Sequence, residues 1–152
     1  MSTRGEAQAT TGRKGLNITL WVVQILLALA YISAGVQKTF MPLQEVAKTI
    51  FWVSYVPSPL VRFIGVSELL GAIGLILPAA LKIKPGLTAL AAAGLSVIML
   101  SASVMHAVRG EYFALPTTLI LLALASFIAY GRWRLTPIRP ASTLHQEPEL
   151  RK

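Results

Sequence analysis

Residues 60–81 decide the fold: they read LVRFIGVSELLGAIGLILPAAL, a run of aliphatic and small side chains that contains one acid, Glu68. The length of the run matches the ~20 helical residues that cross about 30 Å of hydrocarbon. A carboxylate at the centre of such a helix costs roughly 2.5–3.5 kcal/mol on insertion scales. The stretch therefore predicts a membrane span in which Glu68 needs a partner, a proton or a water-filled cavity.

Three further apolar segments extend this prediction to four spans, at residues 16–36, 86–105 and 114–130. The 152-residue chain is 55% hydrophobic and 13% charged, which is about half the charged share of a soluble domain. The expected fold class is an all-α membrane protein, with one four-helix domain over residues 16–134. Residues 1–15 and 135–152 are polar and predict disordered tails.

The first span also has a signal-like feature. Basic residues precede it, and Ala28-Leu29-Ala30 has the small-x-small form of a cleavage site. Apolarity continues through Val36, which makes the segment long enough to span, so we expect it to be retained.

The distribution of basic residues predicts an orientation. Ten of the 14 Lys and Arg side chains lie on the side of both termini and of the connection between spans two and three; the other four are Lys38, Lys48, Arg62 and Arg109. The positive-inside rule then places both termini in the cytoplasm, and we expect a multi-pass protein of the inner (plasma) membrane. This topology accounts for the net charge of +8. We therefore expect the lipid bilayer as a partner and do not expect a nucleic acid.

The longest connection, between spans one and two, predicts an amphipathic helix at the membrane interface. Its apolar side chains recur at helical spacing, at Leu43, Val46, Ala47, Ile50 and Phe51. Its polar side chains fall opposite, at Gln44, Glu45, Lys48 and Thr49. Trp52 and Tyr55 are expected to anchor it at headgroup level.

The ionisable side chains of the bundle are expected to gather in the half that faces away from the termini. Glu68 lies roughly 12 Å deep in that half, and small neighbours on its helix face admit another helix closely. Lys38, at the end of span one, is the best candidate partner because its long stem can reach the acid. His106 is placed to hydrogen-bond the pair or to relay protons. Glu68, Lys38 and His106 form the candidate intramembrane polar site.

Structural interpretations stand beside these functional ones. A Lys38–Glu68 pair can also serve only to fix helix register. Among the secondary candidates, Arg62 and Arg109 fit snorkelling to headgroups, and Gln24 fits an interhelical hydrogen bond. No residue is assigned a catalytic role.

Several chemistries lack the residues that they need. The chain has no cysteine, which removes disulfides, iron–sulfur ligation and covalent haem. A haem held by two histidines would need a second membrane histidine, whereas His145 lies in the tail. No metal-ligand spacing or self-sufficient catalytic motif occurs, so the chain is at most the membrane subunit of an oxidoreductase.

Three motifs resemble the DoxX-like family of small four-helix membrane proteins: Ala34–Lys38, Ser67–Leu75 and Met105–Glu111. The likeness covers roughly residues 18–134, and Lys38, Glu68 and His106 match the family's polar positions. It implies an inner-membrane bundle, with some members linked to quinone-dependent sulfur oxidation, quinone handling or redox stress. A quinone is thus the one cofactor that the resemblance suggests.

Three classes of function remain open at this point. The leading one is a quinone-linked or redox-stress accessory subunit, working with a soluble oxidoreductase partner. The second is a protein that binds or transports a small solute, which would require a homo-oligomer. The third is an assembly subunit in which the Lys38–Glu68 pair only packs helices.

Overall fold

The computed structural model describes residues 3–84 and 86–138, and nearly all of these are helical. The elements in chain order are α1 (Thr3–Phe40), α2 (Leu43–Thr49), a 3₁₀ helix (Phe51–Tyr55), α3 (Ser58–Leu81), α4 (Gly86–Val108), α5 (Leu115–Tyr130) and a π-helical turn (Gly131–Leu135). The predicted all-α fold is confirmed.

Four of these helices are long and apolar enough to cross a membrane, as predicted. The spanning segments are Gly12–Phe40, Ser58–Leu81, Gly86–Val108 and Leu115–Leu135. Each extends beyond or shifts from its predicted bounds by a few residues, because polar side chains continue the helices past their apolar runs. Many large apolar side chains on their outer faces are exposed, which suits contact with lipid.

The N-terminal segment differs from its prediction. Helix α1 begins at Thr3, so most of the expected disordered tail over residues 1–15 is helical. Residues 6–9 (Glu-Ala-Gln-Ala) are good helix formers, and they continue the membrane helix without needing a new nucleus. The expected C-terminal tail, 135–152, lies outside the described residues from position 139 onward.

The four spans pack in the cyclic order α1, α3, α4, α5, with α3 between α1 and α4. Glycines allow both faces of α3 to approach their neighbours closely. A Cβ added to Gly35 would lie 2.9 Å from the Gly65 carbonyl oxygen, and one added to Gly71 would lie 2.6 Å from Leu95 Cδ2. The close contact of α1 with α3 therefore requires the absence of side chains at positions 35 and 65.

The bundle has two distinct ends. Arg13, Lys14, Lys82 and Arg134 lie at one end, called here the basic end. The other end carries α2, the 3₁₀ helix and the turn between α4 and α5, and is called here the connector end.

The predicted amphipathic helix is present at the connector end, although it is short. Val46 of α2 is buried with Val53 of the 3₁₀ helix and Val61 of α3, whereas the predicted polar face is exposed. Tyr55 is exposed, as a headgroup anchor should be. Trp52 differs from its prediction: it is half-buried, and its ring centroid lies 5.9 Å from Lys38 Nζ. This residue packs over the polar site beneath it.

Candidate functional site

Lys38 and Glu68 form a buried ion pair between α1 and α3. Lys38 Nζ donates hydrogen bonds to both carboxylate oxygens of Glu68, at 2.7 Å to Oε1 and 2.6 Å to Oε2. The two residues are only 5% and 2% exposed. A carboxylate bound through both oxygens to an ammonium keeps its charge at an acceptable cost, even where water is nearly excluded.

Backbone packing holds this pair in place. A Cβ on Gly65 would lie 2.8 Å from Lys38 Cβ, so the glycine lets the lysine stem lie directly against α3. Arg62 Nη1 donates a hydrogen bond of 2.8 Å to the Lys38 carbonyl oxygen. That carbonyl belongs to the last turn of α1, where no backbone donor follows to satisfy it. Arg62 thus fastens the end of α1 to α3, a role more specific than snorkelling.

The ion pair lines a cavity of about 660 Å³ at the connector end. Most of the wall is apolar and comes from α1, α3, α4, α5 and the 3₁₀ helix. Its polar groups are few, and include Tyr31, Lys38, Glu68, His106 and Glu111. A cavity of this size with a small number of convergent polar groups is typical of a small-molecule site.

A second polar cluster forms at the turn that ends α4. Glu111 accepts a hydrogen bond of 2.7 Å from His106 Nδ1 and one of 2.8 Å from Arg109 Nε. The Arg109 guanidinium also lies 4.2 Å from the Tyr55 ring centroid. Arg109 therefore ties the turn to the 3₁₀ helix.

Glycine at position 110 builds this cluster. Gly110 has a φ of +72°, in the left-handed region that favours glycine. The Glu111 N–H then bonds the His106 carbonyl at 2.9 Å, and the Gly110 N–H bonds the Ala107 carbonyl at 3.2 Å. This pairing is the Schellman motif that terminates many helices, and it folds Glu111 back onto the His106 ring.

The charge on Glu111 fixes the orientation of the histidine. Hydrogen bonds from Arg109 and His106 hold the pKa of the Glu111 carboxyl below its usual range. An ionised carboxylate only accepts hydrogen bonds, so Nδ1 of His106 carries a proton. Nε2 makes no hydrogen bond within residues 12–84 and 86–138, and it remains free to serve a ligand.

The structure brings together only part of the predicted trio. Lys38 and Glu68 are in contact, whereas His106 bonds Glu111 and makes no hydrogen bond to either of them. All three line the same cavity, so a bound molecule could reach the pair and the histidine at once. Of the two roles expected for His106, the direct hydrogen bond to the pair is absent among the described residues, because the ring bonds Glu111 through Nδ1, and the proton relay stays a prediction.

Tyr31 is a cavity residue that the sequence reading missed. It is 2% exposed, and its hydroxyl has no hydrogen-bond partner in the described part of the chain. Gln24, Tyr31 and Lys38 are spaced seven residues apart and so share one helix face. That spacing, starting from Lys38, was the signal that could have identified it.

The expectation that all ionisable side chains of the bundle gather at the connector end is wrong for Arg132. This residue is 3% exposed and belongs to the basic end. Its Nε donates to Gln24 Oε1 at 3.0 Å, and its Nη1 donates to Asn17 Oδ1 at 2.6 Å. Gln24 Nε2 in turn donates to the Leu75 carbonyl. The predicted interhelical role of Gln24 is therefore present, at the opposite end from the cavity.

Fold and site together define a class: a multi-pass α-helical membrane protein with a buried ion pair and a cavity at one end. Within the described residues, no group of three or more His, Cys, Asp or Glu side chains could hold a metal ion. The sequence matches the DoxX-like family over residues 22–128, which is most of the chain, and the protein belongs to that family. No curated protein and no solved structure matches it.

Proposed function

We propose that this protein binds the headgroup of a quinone in the connector-end cavity, and that it acts as a quinone-linked accessory subunit of a membrane redox system. One observation supports this above the others. One largely apolar cavity of about 660 Å³ contains an ion pair, a histidine and a tyrosine hydroxyl that has no partner among the described residues. An amphipathic carbonyl compound from the membrane would use all of them.

The residues present fit a quinone. Its ring and tail are apolar, and its carbonyl oxygens accept hydrogen bonds. Tyr31 Oη is buried without a partner among the described residues, a situation that is costly unless a ligand supplies an acceptor. Lys38 has three ammonium protons, so one remains after the two bonds to Glu68.

Each residue of the cavity then has a defined task. A bound quinone would supply a ring system that accepts two electrons from a partner subunit and two carbonyl oxygens that accept two protons. Tyr31 and Lys38 donate hydrogen bonds that orient the headgroup, and Glu68 holds the charge of Lys38. The hydrogen bond to Glu111 keeps a proton on His106 Nδ1, which leaves Nε2 for a ligand in the cavity.

Binding is tested with purified Trp21→Phe/Trp133→Phe protein, in which Trp52 is the remaining tryptophan, by titrating a short-chain quinone and measuring the quenching of Trp52 fluorescence. Tyr31→Phe keeps the ring and removes one donor, so its dissociation constant should rise by about 2- to 10-fold, from the 0.5–1.5 kcal/mol of one hydrogen bond. The matched control is Tyr130→Phe, since Tyr130 is exposed in the other half of the bundle. Absence of saturable binding, or equal losses in the two variants, would count against the proposal.

Activity gives a second test. Glu68→Gln removes the counter-charge of Lys38, so it should abolish quinone-dependent redox activity in membranes. The protein should still insert and fold. Glu45→Gln is the control, as Glu45 is an exposed acid outside the cavity. Unchanged activity of Glu68→Gln in folded protein would refute the redox role.

A second candidate function has its own observation. The Lys38–Glu68 pair lies beside a close contact of α1 and α3, at Gly35 and Gly65. An ion pair at such a crossing can fix the register of two helices, as expected of an assembly subunit. In that case the affinity for quinone would be negligible, and loss of the pair would alter partner assembly alone.

We also infer the orientation and the membrane. Arg13, Lys14, Lys82 and Arg134 lie together at the basic end, which by the positive-inside rule faces the cytoplasm. The cavity then opens near the outer face of an inner (plasma) membrane. Protons exchanged at His106 would come from that side.

A further inference from the structure

The basic end contains a buried cation whose charge no described acid balances. Arg132 is nine-tenths or more buried, and its partners Gln24 and Asn17 are neutral. Its third nitrogen, Nη2, has no hydrogen-bond partner among the described residues. The ring of Trp21 lies 5.3 Å from the guanidinium carbon and adds a cation–π contact, which is again neutral.

A pocket of about 630 Å³ shares two residues with the surroundings of this arginine, although Arg132 itself is not part of the pocket lining. Asn17 and Trp21, which both contact the Arg132 guanidinium, also form part of the pocket wall. Its rim carries four more cations, Arg13, Lys14, Lys82 and Arg134. The guanidinium thus stands behind the wall of a pocket that is ringed by positive charge.

The acids with described side chains all lie away from this pocket, toward the connector end. The three acids with described side chains are Glu45, Glu68 and Glu111. Glu68 is paired with Lys38, Glu111 with Arg109, and Glu45 with Lys48, all toward the connector end. The basic pocket therefore has a positive field that the described chain does not neutralise, and an anion entering it would be strongly favoured.

The position of the pocket indicates the source of the anion. It lies where α1, the α3–α4 connection and the end of α5 leave the apolar spans, which is the level of lipid headgroups. Basic pockets between membrane helices on this side suit anionic headgroups. Asn17 and Thr136 add neutral polar groups to the lining.

We propose that the basic pocket is a specific binding site for the phosphate group of an anionic phospholipid. In this site Arg132 supplies the buried charge, and Lys82 and Arg134 hold the headgroup from the rim. The site is separate from the cavity at the connector end and does not depend on the function proposed for that cavity.

Arg132→Gln is the obvious test but removes a group that joins α1 to α5, so folding could be lost with it. A pair of lysines in the α3–α4 connection provides a cleaner comparison. Lys82 and Lys84 are both exposed, with φ values of 54° and 45°, yet only Lys82 lines the pocket. Lys82→Gln and Lys84→Gln therefore change the same charge in the same backbone setting.

Delipidated full-length protein in neutral detergent is titrated with short-chain phosphatidylglycerol, and bound lipid is counted by native mass spectrometry. We expect one saturable site that prefers phosphatidylglycerol to phosphatidylcholine. Lys82→Gln should weaken it about fivefold, as one lost charge near the surface implies, and Lys84→Gln should leave it unchanged.

Parallel titrations with inorganic phosphate and phosphatidylcholine separate the alternatives. Weak competition by inorganic phosphate supports a lipid site. Competition by inorganic phosphate at the affinity of the lipid would overturn the assignment to phospholipid. Equal binding of phosphatidylcholine, or equal effects of the two lysine variants, would overturn the site itself.

Discussion

The buried ion pair allows a quantitative prediction about stability. Lys38→Met removes the ammonium but keeps an unbranched side chain that fills similar space. The Glu68 carboxylate, 2% exposed, then loses two hydrogen bonds of 2.6 and 2.7 Å with almost no water to replace them. Removing one partner of such a pair should lower the free energy of unfolding by about 3–5 kcal/mol. Replacing both, in Lys38→Met/Glu68→Leu, should cost much less than the sum of the single changes.

The assay is reversible unfolding in mixed micelles, with the free energy followed against the fraction of sodium dodecyl sulfate. Lys48→Met is the matched control: Lys48 contacts Glu45 at 2.8 Å, but both side chains are exposed. Such surface pairs contribute about 0.2–1 kcal/mol. A Lys38→Met cost within that range, or a double variant as costly as the two single variants added, would refute the assignment of a charged buried pair.

Three further predictions concern packing, pH and orientation. Gly65→Ala should lower the free energy of unfolding by about 1–3 kcal/mol, because its Cβ would overlap α1, whereas Gly94→Ala meets nothing within 4 Å and should be neutral or stabilising in the same micelle assay. The lowered pKa of Glu111 means that its contribution to stability is complete above about pH 4.3, the usual Glu value, and is lost as the pH falls through the lower folded value. Glu111→Gln should therefore remove that loss when the free energy of unfolding is plotted against pH. A pH dependence equal to that of the wild type would contradict the hydrogen bonds assigned to Glu111. The chain has no cysteine, so Ser54→Cys and Ile83→Cys can be labelled singly in whole cells with an impermeant maleimide. Labelling at position 54 alone would support the inferred orientation, and labelling at position 83 alone would show the opposite orientation.

The spans and the ion pair follow from short-range properties of the sequence. Runs of about 20 apolar residues must become helices in a bilayer, because no other open structure satisfies the backbone there. Once the spans are set, chain direction alone brings Lys38 and Glu68 to similar depth. An intramembrane acid and a long-stemmed cation at one depth tend to pair, since each carries a large free-energy cost in the bilayer when its charge is unpaired.

The remaining features depend on geometry that periodicity does not encode. Arg132 belongs to a group of basic residues that looks like an ordinary positive flank. The π-helical turn at Gly131–Leu135 carries it into the bundle instead. Gly131 allows this, because a Cβ there would lie 2.6 Å from Leu20 Cδ2. Whether a flanking cation points to lipid or to protein therefore depends on one turn of backbone.

The partner of His106 illustrates the same point. Spacing places the histidine at the depth of the cavity, but the reversal at Gly110 decides that Glu111 reaches its ring. Tyr31 was predictable from its seven-residue spacing to Lys38, although a tyrosine within a span is more commonly a packing residue. Its significance arises because its hydroxyl has no partner in the described part of the chain, and only the three-dimensional structure reveals this.

The most direct test of the proposed working site is to exchange the charges of the ion pair, in Lys38→Glu/Glu68→Lys. The exchange preserves the attraction between α1 and α3 but moves the ammonium to α3, away from its position under Trp52. Quinone affinity and quinone-dependent activity are measured in protein that unfolds with wild-type stability. Our account predicts that both are lost although the fold is kept. Retention of both at wild-type levels would contradict it and would identify the pair as a packing device.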